Sequence, residues 1–450
     1  METTKKMNCF KSLVFVLVLL GVPSIGYTNI GDILSRFQVY GTVQETYDNN
    51  VNLAPKDKKD DFITNISLGL RFSTLPRSET TREFRRPSSA EETTYGINLD
   101  FLPGYVFYAN QTSDNYLSLS GNLDAWYTTW DRKLTLRIRD YLIRSEEPLE
   151  QNYVVSALPS QILLGSQRGR AIYFRNVGQP SLEYRFGKED IISINYLNNI
   201  YRNQRSSLFE DSTENCINPR LTYWFNIRNG ITMEYALDLG NFQRSPDMTG
   251  NLAKGRYTYR FNPKTSIFGE YAFQKREFEK QVSILTGDYS IHTPAIGFEH
   301  EFSPTFSLKA KVGYFWQIPQ RGSNETSLLY DILVTQRTQK TTYTLGIQGG
   351  HTEDYFTAEN LGFAKYHQAI GTIIHQITQR AAVTLSGRYQ RPKYNNGQVD
   401  NIWGITTGAS YQILRWLTLA LDLSYAGDHS NRELSNYADF RGMFMITATY

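Results

Sequence analysis

The sequence predicts an all-β chain: a transmembrane antiparallel β-barrel of about 20 strands, within a range of about 16–20, with short periplasmic turns and long outer loops. Three observations predict it. Apolar residues recur at every second position over most of the chain, the period of a strand whose two faces meet different surroundings. Tight polar turns alternate with longer polar connections, as in barrels whose turns face the periplasm and whose loops face outward. The chain is also 14% aromatic, with 31 Tyr and 25 Phe, yet its mean hydropathy is -0.44. A helical membrane protein would be more apolar, whereas a barrel offers lipid only alternate residues.

The first residues read as an address. Lys5, Lys6 and Lys11 precede an apolar run over 13–22, which Pro23 breaks, and Ser24 and Gly26 supply small residues before a cleavage point after Gly26. This pattern predicts a signal peptide over 1–26 and a single barrel over 27–450, located in the bacterial outer membrane after secretion to the periplasm. The run is too short for a spanning helix, which needs roughly 20 residues. Cys9 would leave with the signal, so Cys216 would have no disulfide partner.

From there one device repeats. Phe37, Val39, Gly41 and Val43 begin it, a polar loop covers 48–61, and Phe62, Thr64, Ile66, Leu68, Leu70 and Phe72 return. Residues 74–93 break the pattern with Pro76, Pro87, Arg82, Arg85 and Arg86, and predict a periplasmic insertion. Strands resume over 95–108 and 116–127, and Trp130, Asp131 and Arg132 turn the chain into Leu134, Leu136 and Ile138. The polar stretch 145–170 predicts a long outer loop. Further strand pairs follow around turns at 187–190, 226–229, 262–264, 303–305, 337–340, 378–380 and 414–415. In the last stretch Phe440, Gly442, Phe444, Ile446, Ala448 and Tyr450 share one face, and Arg441, Met443, Met445 and Thr447 the other. It resembles the closing strand of outer-membrane barrels, which implies that Phe444, Ile446 and Tyr450 form the outward signal read by the barrel assembly machinery.

Charge sets the phase of each strand. A Lys or Arg facing lipid at the midplane costs roughly 2–4 kcal/mol. Lys309 and Lys311 therefore turn inward, opposite Leu308, Ala310 and Val312, and Arg256 and Arg260 turn inward opposite Tyr257, Tyr259 and Phe261. The same rule assigns Arg137, Arg139, Arg175, Arg185, Arg220, Glu234, Asp238, Glu270, Arg388 and Arg441 to the lumen. Barrels of 16–18 strands already leave an aqueous channel. A lumen lined by both signs of charge predicts a porin-like channel, open or crossed by a loop. Trp126, Trp130, Trp316, Trp403 and Trp416 near segment ends predict an aromatic girdle, while parity turns Trp224 inward.

Several function classes are disfavoured. Lys and Arg number 47 against 44 Asp and Glu, a net charge of +3, which gives nucleic acid no basic footprint. The six His show no zinc spacing, so no metal, cofactor or catalytic residue is assigned and the chain does not read as an enzyme. His351 with Glu353 and Asp354, in an expected outer loop, is the nearest acid/base cluster and reads as solvated loop charge. The mixed run Lys56, Asp57, Lys58, Lys59, Asp60 and Asp61 could meet lipopolysaccharide phosphates or divalent cations, beside the lipid that any such barrel contacts. A non-channel barrel that displays loops or binds partners, through 145–170 or 74–93, is the alternative.

The run Val43-Gln44-Glu45-Thr46-Tyr47-Asp48-Asn49-Asn50-Val51 leads into 61–70, and later come Tyr184-Arg185-Phe186-Gly187-Lys188-Glu189-Asp190 and Leu221-Thr222-Tyr223-Trp224-Phe225. These segments resemble the putative β-barrel porin 2 family of Gram-negative outer membranes, over nearly all of the mature chain. The resemblance implies passage of solutes or exopolysaccharide across the outer membrane, with periplasmic polysaccharide export components as partners. The 74–93 insertion departs from the short turn expected there.

Overall fold

The computed structural model describes residues 36–74, 94–129, 131–146, 171–204, 209–279, 287–356 and 360–450. The predicted signal peptide and nearly all of the 74–93 insertion and the 145–170 loop lie outside the described residues. The strands are β1 (Phe37–Asp48), β2 (Asp61–Ser73), β3 (Tyr95–Tyr108), β4 (Tyr116–Thr128), β5 (Leu134–Ser145), β6 (Tyr173–Arg185) and β7 (Ile191–Asn203). They continue with β8 (Ser212–Trp224), β9 (Asn229–Phe242), β10 (Met248–Asn262), β11 (Thr265–Phe278), β12 (Tyr289–Ser303), β13 (Phe306–Pro319) and β14 (Glu325–Arg337). The last six are β15 (Thr341–Asp354), β16 (Gly362–Thr378), β17 (Ala381–Tyr394), β18 (Asp400–Leu414), β19 (Leu417–Ser430) and β20 (Tyr437–Thr449).

Each strand pairs antiparallel with the next, and β1 also pairs with β20, from Tyr40 opposite Thr449 to Asp48 opposite Arg441. The sheet is thus a closed ring of 20 strands, the predicted count. Closure leaves no edge, the condition for a sheet in lipid, where no water satisfies an unpaired backbone group. β1 starts and β20 ends at one end of the ring, the turn end, where connections such as 263–264, 304–305 and 415–416 are tight. Side chains shape these turns: the Asn226 carbonyl accepts the Arg228 and Asn229 N–H groups, and the Asn262 carbonyl accepts that of Lys264. The opposite, loop end carries most of the longer connections, the one between Ser73 and Tyr95 being at the turn end.

The ladder breaks where proline removes a donor. Pairing skips Pro180 between β6 and β7, Pro219 between β8 and β9, and Pro294 between β12 and β13. At the second break the Asn218 side chain fills the gap, its Nδ2 donating to the Tyr235 carbonyl at 3.0 Å.

The outward face carries the exposed hydrophobics, among them Leu68, Leu117, Ile192, Met233, Ile296, Leu328 and Ile405. Aromatic residues crowd its turn end, as in the Phe186–Tyr223 and Phe302–Phe306 stacks. Asp140 interrupts this face. Its carboxylate takes the Asn176 amide on both oxygens, at 3.0 and 3.1 Å, which partly compensates for the missing water. Trp316 and Trp403 also lie outward, Trp403 against Tyr425 at 4.8 Å, and Trp416 is exposed in the β18–β19 turn. Trp130 lies outside the described residues. Trp126 corrects the girdle expectation. Tyr127 opposite Tyr95 takes the outward position, so Trp126 turns inward, buried over Gly96, with the Arg137 guanidinium 5.8 Å from its ring. A Cβ on Gly96 would overlap that ring.

Candidate functional site: the charged lumen

The inner face is the site, and strand parity builds it. Arg137, Arg139, Arg175, Arg185, Arg220, Glu234, Asp238, Arg256, Arg260, Glu270, Lys309, Lys311, Arg388 and Arg441 all sit on strand positions opposite to those of the exposed hydrophobics. The structure groups them unevenly. On β15–β18 the inner face carries Thr342, Thr344, Gln348, Gln368, Thr372, Thr384, Ser386 and Thr406, and Arg388 alone is charged between the strand ends. The wall from β8 to β13 is dense with charge. A hydroxyl- and amide-rich sector thus stands beside the charged one on the ring, with β14 between them.

At mid-depth on the charged wall, Glu270 lies between Lys254 Nζ at 3.4 Å and Lys311 Nζ at 3.6 Å. Arg137 and Arg139 converge on Asp124, at 2.5 and 3.8 Å. Arg71 pairs with Asp100 at 2.8 Å and lies over the Tyr40 ring, 4.7 Å from its centroid.

Toward the turn end, Arg220, Trp224, Thr232, Arg256, Thr258, Arg260, Ser266 and Glu299 line an open pocket of about 260 Å³. Two of its arginines lie on aromatic faces: Arg260 Cζ is 3.5 Å from the centre of Trp224, and Arg256 Cζ is 3.5 Å from that of Phe268. Each is also anchored by an acid. Arg260 forks onto Glu189 at 3.0 and 2.6 Å, and Arg256 Nη2 meets Glu299 at 2.8 Å. The Arg260 fork holds the Glu189 carboxyl, in the β6–β7 turn, below the usual carboxylate range.

At the loop end a hairpin leans across the mouth. β14 pairs with β13 from Gln336 up to Glu325, but with β15 only up to Tyr330 opposite Gly349. Beyond that point Gly350 adopts φ +153, a conformation that side chains rarely allow. There β15 parts from β14, and its end, still paired to β16, which itself stays paired to β17 up to Ala364, packs against the inner faces of β11–β13. Phe363 and Tyr355 join Phe278, Tyr289, Ile291 and Phe315 in one buried cluster. Glu353 accepts from Arg276 Nε at 3.1 Å and Nη2 at 2.6 Å, from Gln274 Nε2 at 2.6 Å, and from the Tyr289 hydroxyl. Lys365 pairs with Glu325. The expected exposed His351 cluster is therefore corrected. His351 belongs to β15 and is held over Phe315 at 4.7 Å, with its Nε2 3.4 Å from Gln274 Oε1. Asp354 is buried as well. Beside this tip, Arg175 Nε donates to Asn199 at 3.0 Å, and Asn199 Nδ2 to Glu214 at 2.9 Å. Buried Asp238 is the next acid along the wall.

Arg441 serves closure. Its Nε lies 3.0 Å from Asp48 on β1 and 2.7 Å from Asp439 on β20, with all three side chains under 10% exposed. The 49–60 loop laces the same seam: the Asn49 N–H donates to the Phe440 carbonyl and the Phe440 N–H to Asn49 Oδ1, Asn50 Nδ2 donates to the Ala438 carbonyl at 3.0 Å, and Lys56 pairs with Glu433 at 3.1 Å. Asp61 is buried and accepts backbone N–H groups of Phe62, Asn110 and Gln111, so it braces two loops and is not a free cation ligand. Arg82, Arg85 and Arg86 lie outside the described residues. Among those described, no group of three or more His, Cys, Asp or Glu could hold a metal ion.

Lys254, Arg276, Glu299 and Asp124 carry much of this chemistry and were not singled out from sequence, and Glu353 was read there only as solvated loop charge. For the first four the parity rule that found their neighbours would have found them too. Glu353 follows a bend that parity does not register.

Residues 242–450 match the family described as Putative beta-barrel porin 2, the family that the sequence motifs resemble. No curated protein matches the chain. Among solved structures, OccAB4 of Acinetobacter baumannii is 15% identical with a TM-score of 0.42, covering 92% of this chain and 98% of that one. OpdK of Pseudomonas aeruginosa with vanillate is 9% identical, TM-score 0.42, over 92% and 99% of the two chains. A BenF-like porin from Pseudomonas fluorescens Pf-5 is 11% identical, TM-score 0.42, over 93% and 100%.

Proposed function

We propose that this porin-family barrel is a passive outer-membrane channel for small hydrophilic solutes. The observation that carries the reading is the closed ring of 20 strands whose inner face carries charged and hydroxylated side chains from the turn end through mid-depth. A ring of this size exceeds what its own side chains fill. Exopolysaccharide is the larger cargo that the family resemblance suggests. Its passage would require the β15–β16 tip to swing aside.

Purified protein in planar bilayers should give discrete conductance steps. Replacing Lys309 and Lys311 together by Glu reverses two charges on the conducting face, and reversal-potential measurements should show selectivity moving toward cations. A barrel that only displays loops gives no steps, and unchanged selectivity in the double variant would count against conduction past this wall.

We assign the outward residues Phe444, Ile446 and Tyr450 to recognition by the assembly machinery. The Tyr450 side chain is fully exposed, while its N–H donates to the Val39 carbonyl at 2.8 Å. Deleting Tyr450 should lower the amount of folded protein recovered from outer membranes. Molecules that do insert should keep normal conductance. Wild-type recovery of the deletion would remove the assignment.

A further inference from the structure

We propose that the turn-end wall pocket is a binding subsite for small hydroxylated monocarboxylates. The proposal rests on the channel reading only for how such a solute arrives.

The pocket joins three features. The first is an available cation: Arg220 is exposed and has no ion pair among the described residues. The second is a pair of fixed guanidinium planes. Arg256 and Arg260 lie on Phe268 and Trp224, each with an acid beyond it. Arg256 spends Nε and Nη2 on Thr258 and Glu299, and Arg260 spends Nη1 and Nη2 on Glu189. Donors therefore remain on both, already oriented, so little side-chain freedom is lost when a ligand binds. The third is hydroxyl groups: Thr232, Thr258 and Ser266 lie on the same lining.

A carboxylate on Arg220 would gain charge-assisted, bidentate hydrogen bonds, and its hydroxyls would reach the Thr and Ser side chains. Glu299 and Glu189 sharpen the choice. They offset the charge of Arg256 and Arg260, and Lys254 offsets Glu234, which stands opposite Arg220 on β9, leaving roughly one net positive charge, which suits a monoanion better than a dianion. A neutral polyol would leave Arg220 unanswered.

The test uses the purified full-length protein in detergent, titrated calorimetrically with gluconate, sorbitol and inorganic phosphate. Gluconate should bind saturably and more weakly as salt rises, sorbitol should not bind measurably, and phosphate should bind more weakly than gluconate. Arg220→Gln should weaken gluconate roughly tenfold, Arg220→Lys should fall between, and Arg388→Gln on the opposite wall should match the wild type. Thr232→Val supplies a second, charge-preserving variant with a smaller loss. Absence of saturable gluconate binding, equal binding by Arg220→Gln, or phosphate binding as tightly as gluconate would each overturn the subsite. Conductance is measured separately. A protein that conducts without binding gluconate loses the subsite alone, and one that binds gluconate without conducting loses the channel reading alone.

Discussion

Glu353→Ala should enlarge the single-channel conductance and make it noisier. Glu353 is the polar fastening of the hairpin tip, receiving Arg276, Gln274 and Tyr289 from two strands of the wall. The Arg276 and Glu353 side chains are only 10% and 12% exposed. Removing one partner of such a pair costs about 3–5 kcal/mol, because the other charge stays buried without its counterion. A bias of that size moves a closed-to-open ratio by more than about a hundredfold. The apolar cluster of Phe363, Tyr355, Phe278 and Phe315 opposes release, so Glu353→Ala with Tyr355→Ala should exceed the single change. Glu353→Gln keeps acceptor geometry without charge and should fall between. Conductance equal to wild type in the double variant would mean that the tip does not limit the mouth.

Arg441→Ala should weaken the barrel at its seam. The substitution leaves Asp48 and Asp439 facing each other where both are almost wholly buried. The expected loss is about 3–5 kcal/mol of stability, concentrated where β1 and β20 meet. The readout is the temperature at which the folded, fast-migrating band on an unheated gel converts to the unfolded one, which should drop well below wild type. Arg441→Met with Asp48→Asn and Asp439→Asn removes the charges together and should recover much of the loss. If Arg441→Ala left that temperature unchanged, the ion triad would be incidental to closure. Lys56→Ala, which breaks an ion pair at the same seam whose side chains are 79% and 77% exposed, should have little effect.

Arg441 and the Arg220 of the wall pocket are residues that the same sequence rule treats alike. Parity places both Arg441 and Arg220 inside. Only their surroundings tell a buried strut from a guanidinium open to the lumen. Trp126 shows the limit in another form: nearness to a segment end says nothing about face, and the pairing of Tyr95 with Tyr127 decided it.

What the sequence by itself determined was local: strands, tight turns, an even ring and the inward phase of its charges. These follow from a two-residue period and from the cost of a charge in lipid, both readable from near neighbours in the chain. What only the tertiary structure decided was which strands stand across from one another, and where the wall bends. The segregation of charge onto β8–β13, the ion triad joining residues 48 and 441, and the grip of Arg276 on Glu353 bring together residues far apart in the chain. The departure at Gly350 turns on one backbone angle, and alternation continues unchanged on either side of it.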